Sequence, residues 1–311
     1  MIQRDRITIQ QDLLAAGYIL PFLSVFLLFL GWPILYSLWI SLHQVTIFSD
    51  FYDIFGTMKF VGLKNYAFVL SDKVFWWSIF LTFFYAAFTI SGGITLSLAL
   101  ALFLNRKRRG FGVLRSGFFL PNVFDVYVVG VIWLMLYNPN GGPVSEVLRW
   151  LKMSKLADTG VLGSPWLVLP AIGFAMILKN AGFGMILFLT SLNNINEAIF
   201  EAADVDGATR WQKIRHVILP MLKPTIMFLS ITGLVGSLNA FGEIYAMTDG
   251  SGGTSVTVAG NTFQSARISG FHLYQTFNNS DYGMAAAISF VLLVFASLIS
   301  VINIKFLSPK D

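Results

Sequence analysis

The sequence predicts an all-α integral membrane protein with six transmembrane helices and both termini cytoplasmic. Three observations carry this. Of 311 residues, 56% are hydrophobic and only 12% are charged. A soluble domain usually carries about 25% charged residues, so this chain is matched to lipid rather than to water. Apolar stretches recur at the length of about 20 residues that a bilayer core requires. Lys and Arg then collect in alternate segments between those stretches, as expected for chain held on one side of a membrane.

The first stretch, 13–42, contains no charged side chain. It is longer than the roughly 7–15 residues of a secretory h-region and no A-x-A site follows, so it is expected to remain as a span. Pro21 and Pro33 lie inside it, a break that transmembrane helices tolerate when neighbours satisfy the freed carbonyls. The later spans are expected at 74–104, 118–137, 165–192, 220–246 and 284–304. Several exceed the minimum length, which permits tilt.

With the N-terminus inside, segments 1–13, 105–117, 193–223 and 305–311 hold thirteen Lys and Arg. The opposite loops, 43–73, 138–164 and 247–283, hold seven in a greater total length. The bias is strongest at Arg106, Lys107, Arg108, Arg109 and Arg115, beside a membrane exit. Such a cluster also suits nucleic acid or anionic lipid, but next to a span it reads as a topology signal, and no nucleic acid is expected as a partner. The outer loops are turn-rich, as in Asn138-Pro139-Asn140-Gly141-Gly142-Pro143 and Asp249-Gly250-Ser251-Gly252-Gly253, and are expected to be irregular.

Several chemistries are excluded. No cysteine is present, so there is no thiolate nucleophile or Cys-ligated metal. A phosphate-cradling P-loop requires a Gly-Lys pair, and the chain has none. His43, His216 and His272 fall in different loops without metal-ligand spacing, so neither a metal site nor a catalytic residue is expected. Gly182 and Gly184 sit within a span and are expected to permit close helix packing.

Asp125, Lys179 and Glu243 are ionisable groups inside expected spans. A charge there costs at least about 2.5 kcal/mol, so it normally faces a cavity or a partner. Lys179, near the centre of its span, has two readings: a cation lining a solute path, or a structural pair with Asp125, Glu243 or another subunit. Asp125 and Glu243 lie closer to span ends, where structural roles are expected first.

The most informative stretch is 193–224, NNINEAIFEAADVDGATRWQKIRHVILPMLKP. It reads as two short helices broken at Gly207, a residue free to adopt positive φ. Glu197, Glu201 and Asp204 fall at i, i+4 and i+7, forming an acidic face, with Phe200 and Ala203 on another. In the second helix Trp211, Ile214 and Ile218 form an apolar stripe beside Arg210, Lys213 and Arg215. Composition leaves two readings open: a hairpin lying on the membrane surface, or a knob that docks into another subunit.

Glu201-Ala202-Ala203, Asp206-Gly207-Ala208, Ile218-Leu219-Pro220 and Pro224 together resemble the EAA signature of permease subunits in bacterial binding-protein-dependent ABC importers, in its carbohydrate-uptake form. The similarity extends to Trp32-Pro33-Ile34-Leu35-Tyr36-Ser37-Leu38, Phe60-Val61-Gly62-Leu63-Lys64-Asn65-Tyr66, Phe119-Leu120-Pro121, Ile132-Trp133, Asn138-Pro139 and Tyr282-Gly283-Met284-Ala285-Ala286-Ala287. It departs at Gly252-Gly253-Thr254 and Ile195-Asn196-Glu197, where the family often has proline.

The resemblance implies a type I ABC importer permease fold in a bacterial inner membrane. An N-terminal part, 1–73, would carry the first span and an outer loop; the core transmembrane domain would occupy 74–311. It implies a second permease subunit, two ATPase subunits that bind ATP and Mg, and an extracytoplasmic solute-binding protein. Glu201, Ala202, Ala203, Asp206 and Gly207 would form the ATPase-coupling loop. The solute, a sugar or oligosaccharide, would pass between permeases, with Tyr127, Lys179, Asn180, Asn239 and Glu243 as candidate lining residues. If Lys179 faces that path it favours a solute bearing carboxylate or phosphate. An ion-coupled secondary transporter is the rival reading; it would show inverted repeats and midplane coupling groups, and no repeat is visible.

Overall fold

The computed structural model describes residues 17–45, 49, 58–105 and 109–307. The expected start of the first span at 13–16, the basic N-terminal segment and Arg106, Lys107 and Arg108 lie outside the described residues. The chain folds as two compact units, one holding the chain through Ser71 with Thr276–Val291, the other Asp72–Gln275 with the chain from Leu292.

In the first unit, helix α1 (Gly17–Ser41) is long and apolar enough to span a bilayer. It widens into a π-turn at Leu27–Gly31, immediately before Pro33. Proline has no N–H for the carbonyl one turn back, and local widening is a common way for a helix to absorb that loss. A short ribbon, β1 (His43–Gln44) with β2 (Lys59–Phe60), leads to α2 (Lys64–Ser71). Asn65 donates its Nδ2 to the carbonyls of Ser41 (2.9 Å) and His43 (3.0 Å), and Tyr66 OH meets Ser41 Oγ at 2.6 Å. The backbone N–H of Tyr282 donates to Val45 O at 3.1 Å. A Cβ on Gly283 would lie 2.3 Å from His43 O, so only glycine allows this approach. The Asn65-Tyr66 and Tyr282-Gly283 pairs noted in the sequence thus close on one another.

The second unit is built on two long helices, α3 (Lys73–Leu104) and α8 (Val168–Asn193). Between them lie α4 (Phe111–Val123), α5 (Val126–Leu136), α6 (Pro143–Trp150) and α7 (Ser154–Thr159). After α8 come α9 (Glu197–Val205), α10 (Arg210–Met221), α11 (Lys223–Leu238) and α12 (Gly242–Met247). An antiparallel hairpin, β3 (Ser255–Val258) with β4 (Asn261–Gln264), precedes α13 (Ser269–Asn278) and α14 (Tyr282–Leu307), of which Thr276–Val291 belongs to the first unit.

One buried cluster gathers Leu81, Tyr85, Val129, Ile172, Met176, Ile244 and Phe271; another gathers Ala101, Leu104, Met185, Phe188, Leu192, Ile218 and Leu222. Lipid is as apolar as leucine, so helices in a bilayer gain mainly from close packing. Gly182 and Gly184 supply it as expected. A Cβ on Gly182 would lie 2.0 Å from Phe118 O, and one on Gly184 2.4 Å from Ser97 Oγ.

Among the described residues four helices are long and apolar enough to cross a membrane, and six spans result if two bent pairs each count as one. The spans expected at 118–137 and 220–246 fall on these bent pairs. α4 and α5 meet at 100°. Pro121 weakens the end of α4, and Asp125 restarts the helix by accepting from Tyr127 N–H at 2.8 Å. α10 and α11 meet at 65°, and the chain breaks again at 239–241 before α12. A hydropathy window sums composition and is blind to such breaks.

The loops 138–164 and 247–283 are also more ordered than their turn-rich sequences predict. Arg149 holds Glu146 (2.6 Å), Pro139 O (3.1 Å) and Asp158 (3.5 Å), tying α6 and α7 together. Trp77 Nε1 donates to Gln264 O at 3.1 Å, and its ring stacks on Phe263, anchoring the β3–β4 hairpin to α3.

Candidate functional site: a rooted hairpin and a polar cavity

The 193–224 stretch folds as two short helices broken at Gly207, and caps, a turn and an ion pair hold this geometry. Asn196 caps α9 by accepting from Ala198 N–H at 3.1 Å, with Glu197 in the first turn. Gly207 adopts φ +71°. There Ala208 N–H donates to Ala203 O at 2.9 Å, the six-to-one bond of a Schellman ending. Thr209 and Gln212 form a reciprocal capping box that starts α10. Lys213 pairs with Asp204 across the elbow.

This hairpin is rooted in the protein body. Ile195, Phe200 and Ile214 pack against the cluster of Ala101, Leu104, Met185, Phe188 and Leu192 at the ends of α3 and α8. Arg115 donates to Leu104 O at 2.6 Å, closing the α3 terminus. The other face is open. Glu201, Ala202 and Asp206 are exposed, Ala203 is half-buried, Val205 is 88% exposed and Trp211 68%. Trp211 therefore leaves the expected stripe, in which only Ile214 and Ile218 turn inward. Val205 and the Thr209–Gln212 box were not singled out from the sequence, although T-x-x-Q before an apolar run signals a helix start.

Further along the same two helices lies a cavity of about 340 Å³. Tyr85, Thr89, Gly93 and Ser97 of α3 face it, with Lys179, Asn180 and Phe183 of α8, Thr232, Gly236 and Ser237 of α11, and Glu243 of α12. Tyr85 OH donates to Glu243 Oε1 at 3.0 Å, and Glu243 is only 8% exposed. A Cβ at Gly93 or Gly236 would meet nothing within 4 Å, so these glycines leave room where Gly184 fills a contact.

The structure brings Lys179, Asn180 and Glu243 to this cavity and leaves Tyr127 and Asn239 out of its lining. Asn239 instead turns back on its own helix, donating to Val235 O at 2.9 Å. Tyr127 stands 6.2 Å from Tyr245, within an aromatic group that includes Phe241 and Tyr274. Their positions at helix breaks account for both departures, since a straight span would have carried them along the path. Of the two readings of Lys179, a pair with Asp125 or Glu243 is not formed: among the described residues Lys179 has no ion pair, Asp125 caps α5, and Glu243 accepts from Tyr85. Tyr85, Thr89, Ser97, Thr232 and Ser237 were missed because isolated hydroxyls in an apolar run carry no sequence signal of direction.

One titratable pair lies outside the spans. Arg267 Nε donates to His272 Nδ1 at 3.1 Å. Burial, followed by the Arg267 charge, pushes the His272 pKa down to about 4 against a weaker pull from Asp72. Burial likewise lowers the pKa of Arg267, which Asp72 partly offsets.

Residues 93–309 match the family described as the binding-protein-dependent transport system inner membrane component. The chain is 32% identical over 291 residues to the trehalose/maltose transport system permease protein MalF of Thermococcus litoralis, covering 93% of this chain and 92% of that protein. It is 30% identical to the lactose transport system permease protein LacF of Rhizobium radiobacter, covering 91% and 90% respectively. A bacterial ABC transporter involved in import of the acidic polysaccharide alginate has a similar fold, with TM-score 0.77 and 23% identity over 98% of both chains.

Proposed function

Because the chain belongs to the binding-protein-dependent transport system inner membrane component family of ABC importer permeases, we propose that it forms half of an ATP-driven import pathway for a sugar or oligosaccharide. The cargo class rests on relatives named for trehalose, maltose and lactose that align along nine-tenths of the chain. A second permease subunit completes the pathway. Two ATPase subunits bind ATP and Mg beneath it and carry the hydrolysis, for which this chain has no phosphate-cradling motif. An extracytoplasmic binding protein delivers the solute. The hairpin and both termini face the cytoplasm of a bacterial inner membrane, in keeping with the Lys and Arg bias.

The observation that carries this reading is the shared rooting of hairpin and cavity on α3 and α8. A rigid protrusion gripped by a moving ATPase groove displaces the helices on which it is packed, and those same helices hold Tyr85, Ser97, Lys179 and Asn180. Glu201, Ala202, Ala203 and Gly207 make the contact and the turn, with Asp206 at the end of α9. ATP biases the two arrangements of the pathway only through different contacts in each. Within the cavity Lys179 favours a carboxylate- or phosphate-bearing solute.

The test is co-expression with an ATPase, a second permease and a binding protein. The expected result is co-purification as one complex whose ATP turnover rises when loaded binding protein is added in proteoliposomes. Vesicles holding this chain alone that accumulate sugar on an ion gradient would overturn the reading in favour of a secondary transporter.

A further inference from the structure

Helix α6 has three sides rather than two. Val144 packs against the core, Leu148 is half-buried, and Ser145 is buried with its Oγ donating to Asn138 O at 2.6 Å. Glu146 and Arg149 form a charged side, paired at 2.6 Å. The third side carries Val147, Trp150 and Leu151, spaced i, i+3 and i+4, and all three point away from the body: Trp150 is 82% exposed and the other two more than half.

The helix ends just after this stripe. Met153 N–H donates to Leu148 O and Lys152 N–H to Arg149 O, both at 2.9 Å, with Lys152 at φ +61°. This ending sets exposed Lys152 beside Trp150 and Leu151, with exposed Met153 and Lys155 following. Trp166, also exposed, stands two residues before α8 begins.

We propose that this side of α6, with Trp166, is a lipid-facing shelf seated at the boundary between phospholipid headgroups and acyl chains. Its position supports this occupant. The 138–167 segment joins the apolar helix α5 to the apolar helix α8, so it leaves and re-enters the membrane over a short length and lies at interfacial depth. Its chemistry agrees: tryptophans and aliphatic residues beside lysines match the zone where amphipathic rings and cations concentrate. The core-facing side fixes the helix rotation, so the exposed stripe is held sideways toward lipid while the Glu146–Arg149 side meets water.

The chain has no cysteine, which makes single-site labelling clean. Val147→Cys, Leu151→Cys and Asp158→Cys, each carrying a nitroxide, are placed in the assembled importer in phospholipid vesicles, with transport confirmed for each. At 147 and 151, collision with oxygen is expected to exceed that at 158 severalfold, while collision with a soluble nickel chelate falls severalfold. Nickel collision at 147 and 151 equal to that at 158 would place the stripe in water and overturn the proposal. Low collision with both reagents and an immobilised label would overturn it in favour of a protein partner. Should labelling disturb assembly, Trp150→Phe in unlabelled complex is expected to reduce fluorescence quenching by lipid brominated near the headgroup; unchanged quenching would count against the shelf.

Discussion

Asp204 and Lys213 join across the elbow at Gly207, so the two arms of the hairpin are tied by an ion pair as well as by backbone hydrogen bonds. Asp204 is exposed and Lys213 half-buried, and a pair this open to solvent contributes about 1 kcal/mol to stability. Its larger effect is expected on transmission. Asp204→Asn or Lys213→Met should leave assembly intact and reduce binding-protein-stimulated ATP turnover by about two- to fivefold, the range that such an energy spans. Exchanging the charges, Asp204→Lys with Lys213→Asp, should recover most of the loss. Equal turnover in all variants would show that the tie carries nothing.

Gly207 sits at φ +71° with open space around it, so backbone strain alone penalises a side chain there. Gly207→Ala is expected to cost about 1–2 kcal/mol, and Gly207→Asn less, since asparagine tolerates this region. The measurement is transport and ATP turnover at matched complex levels, with the ranking Gly, Asn, Ala in falling order. Alanine performing as well as glycine would rule out a requirement for the left-handed turn.

Glycines in the helices should divide into two kinds. Gly182→Ala drives a Cβ to 2.0 Å from Phe118 O and is expected to destabilise by about 1–3 kcal/mol, read as a lower Tm and lower yield. Gly93→Ala and Gly236→Ala meet nothing within 4 Å and should leave Tm unchanged while altering transport of bulkier cargo. Equal Tm losses at all three would mean that the cavity is collapsed in the membrane.

Lys179 faces the cavity without an ion pair among the described residues. Lys179→Gln in reconstituted complex is expected to lower uptake of acidic oligosaccharide roughly tenfold relative to a neutral one, about the effect of 1.4 kcal/mol. Lys179→Arg should keep the preference. Uptake of both cargoes unchanged from wild type would remove Lys179 from solute selection.

His272 is buried and neutral, accepting from Arg267. Its folded pKa of about 4 lies below the ordinary 6.5, so the unfolded chain binds more protons between these values. Stability contributed by the neutral ring is therefore complete above about pH 6.5 and is lost as pH falls toward 4, by up to about 3 kcal/mol. The Tm of detergent-purified complex should drop from pH 7 to pH 5, and His272→Gln should flatten that drop. A Tm rising with acid would reverse the sign and reject the argument.

The parts legible in the sequence were those written as spacing. The elbow at Gly207, the close-packing role of Gly182 and Gly184, and the long apolar helices follow from residue type and period. The breaks at Phe124–Asp125 and Asn239–Phe241 were not, because apolar composition continues through them while the bend depends on which backbone groups find partners. The same limit governed the cavity. Lys179 and Glu243 stood out as costly charges, whereas Tyr127 and Asn239 looked equivalent to Asn180 until the breaks turned them aside. The order in 138–164 depended on Arg149 reaching Pro139 and Asp158, contacts that turn-forming composition conceals.

The clamp made by Asn65, Tyr66 and Gly283 has a consequence for biogenesis. Ser41, His43 and Val45 leave the ribosome early, yet the Tyr282 N–H that reaches Val45 O belongs to α14, which follows more than 200 residues later. The unit containing the first span is thus closed only after Asp72–Gln275 of the other unit has been synthesised, and until then the Val45 carbonyl depends on insertion machinery or bulk solvent. A nascent chain stalled before residue 282 is expected to hold a proteolytically tender amino-terminal region, which hardens once the closing glycine has cleared the exit tunnel.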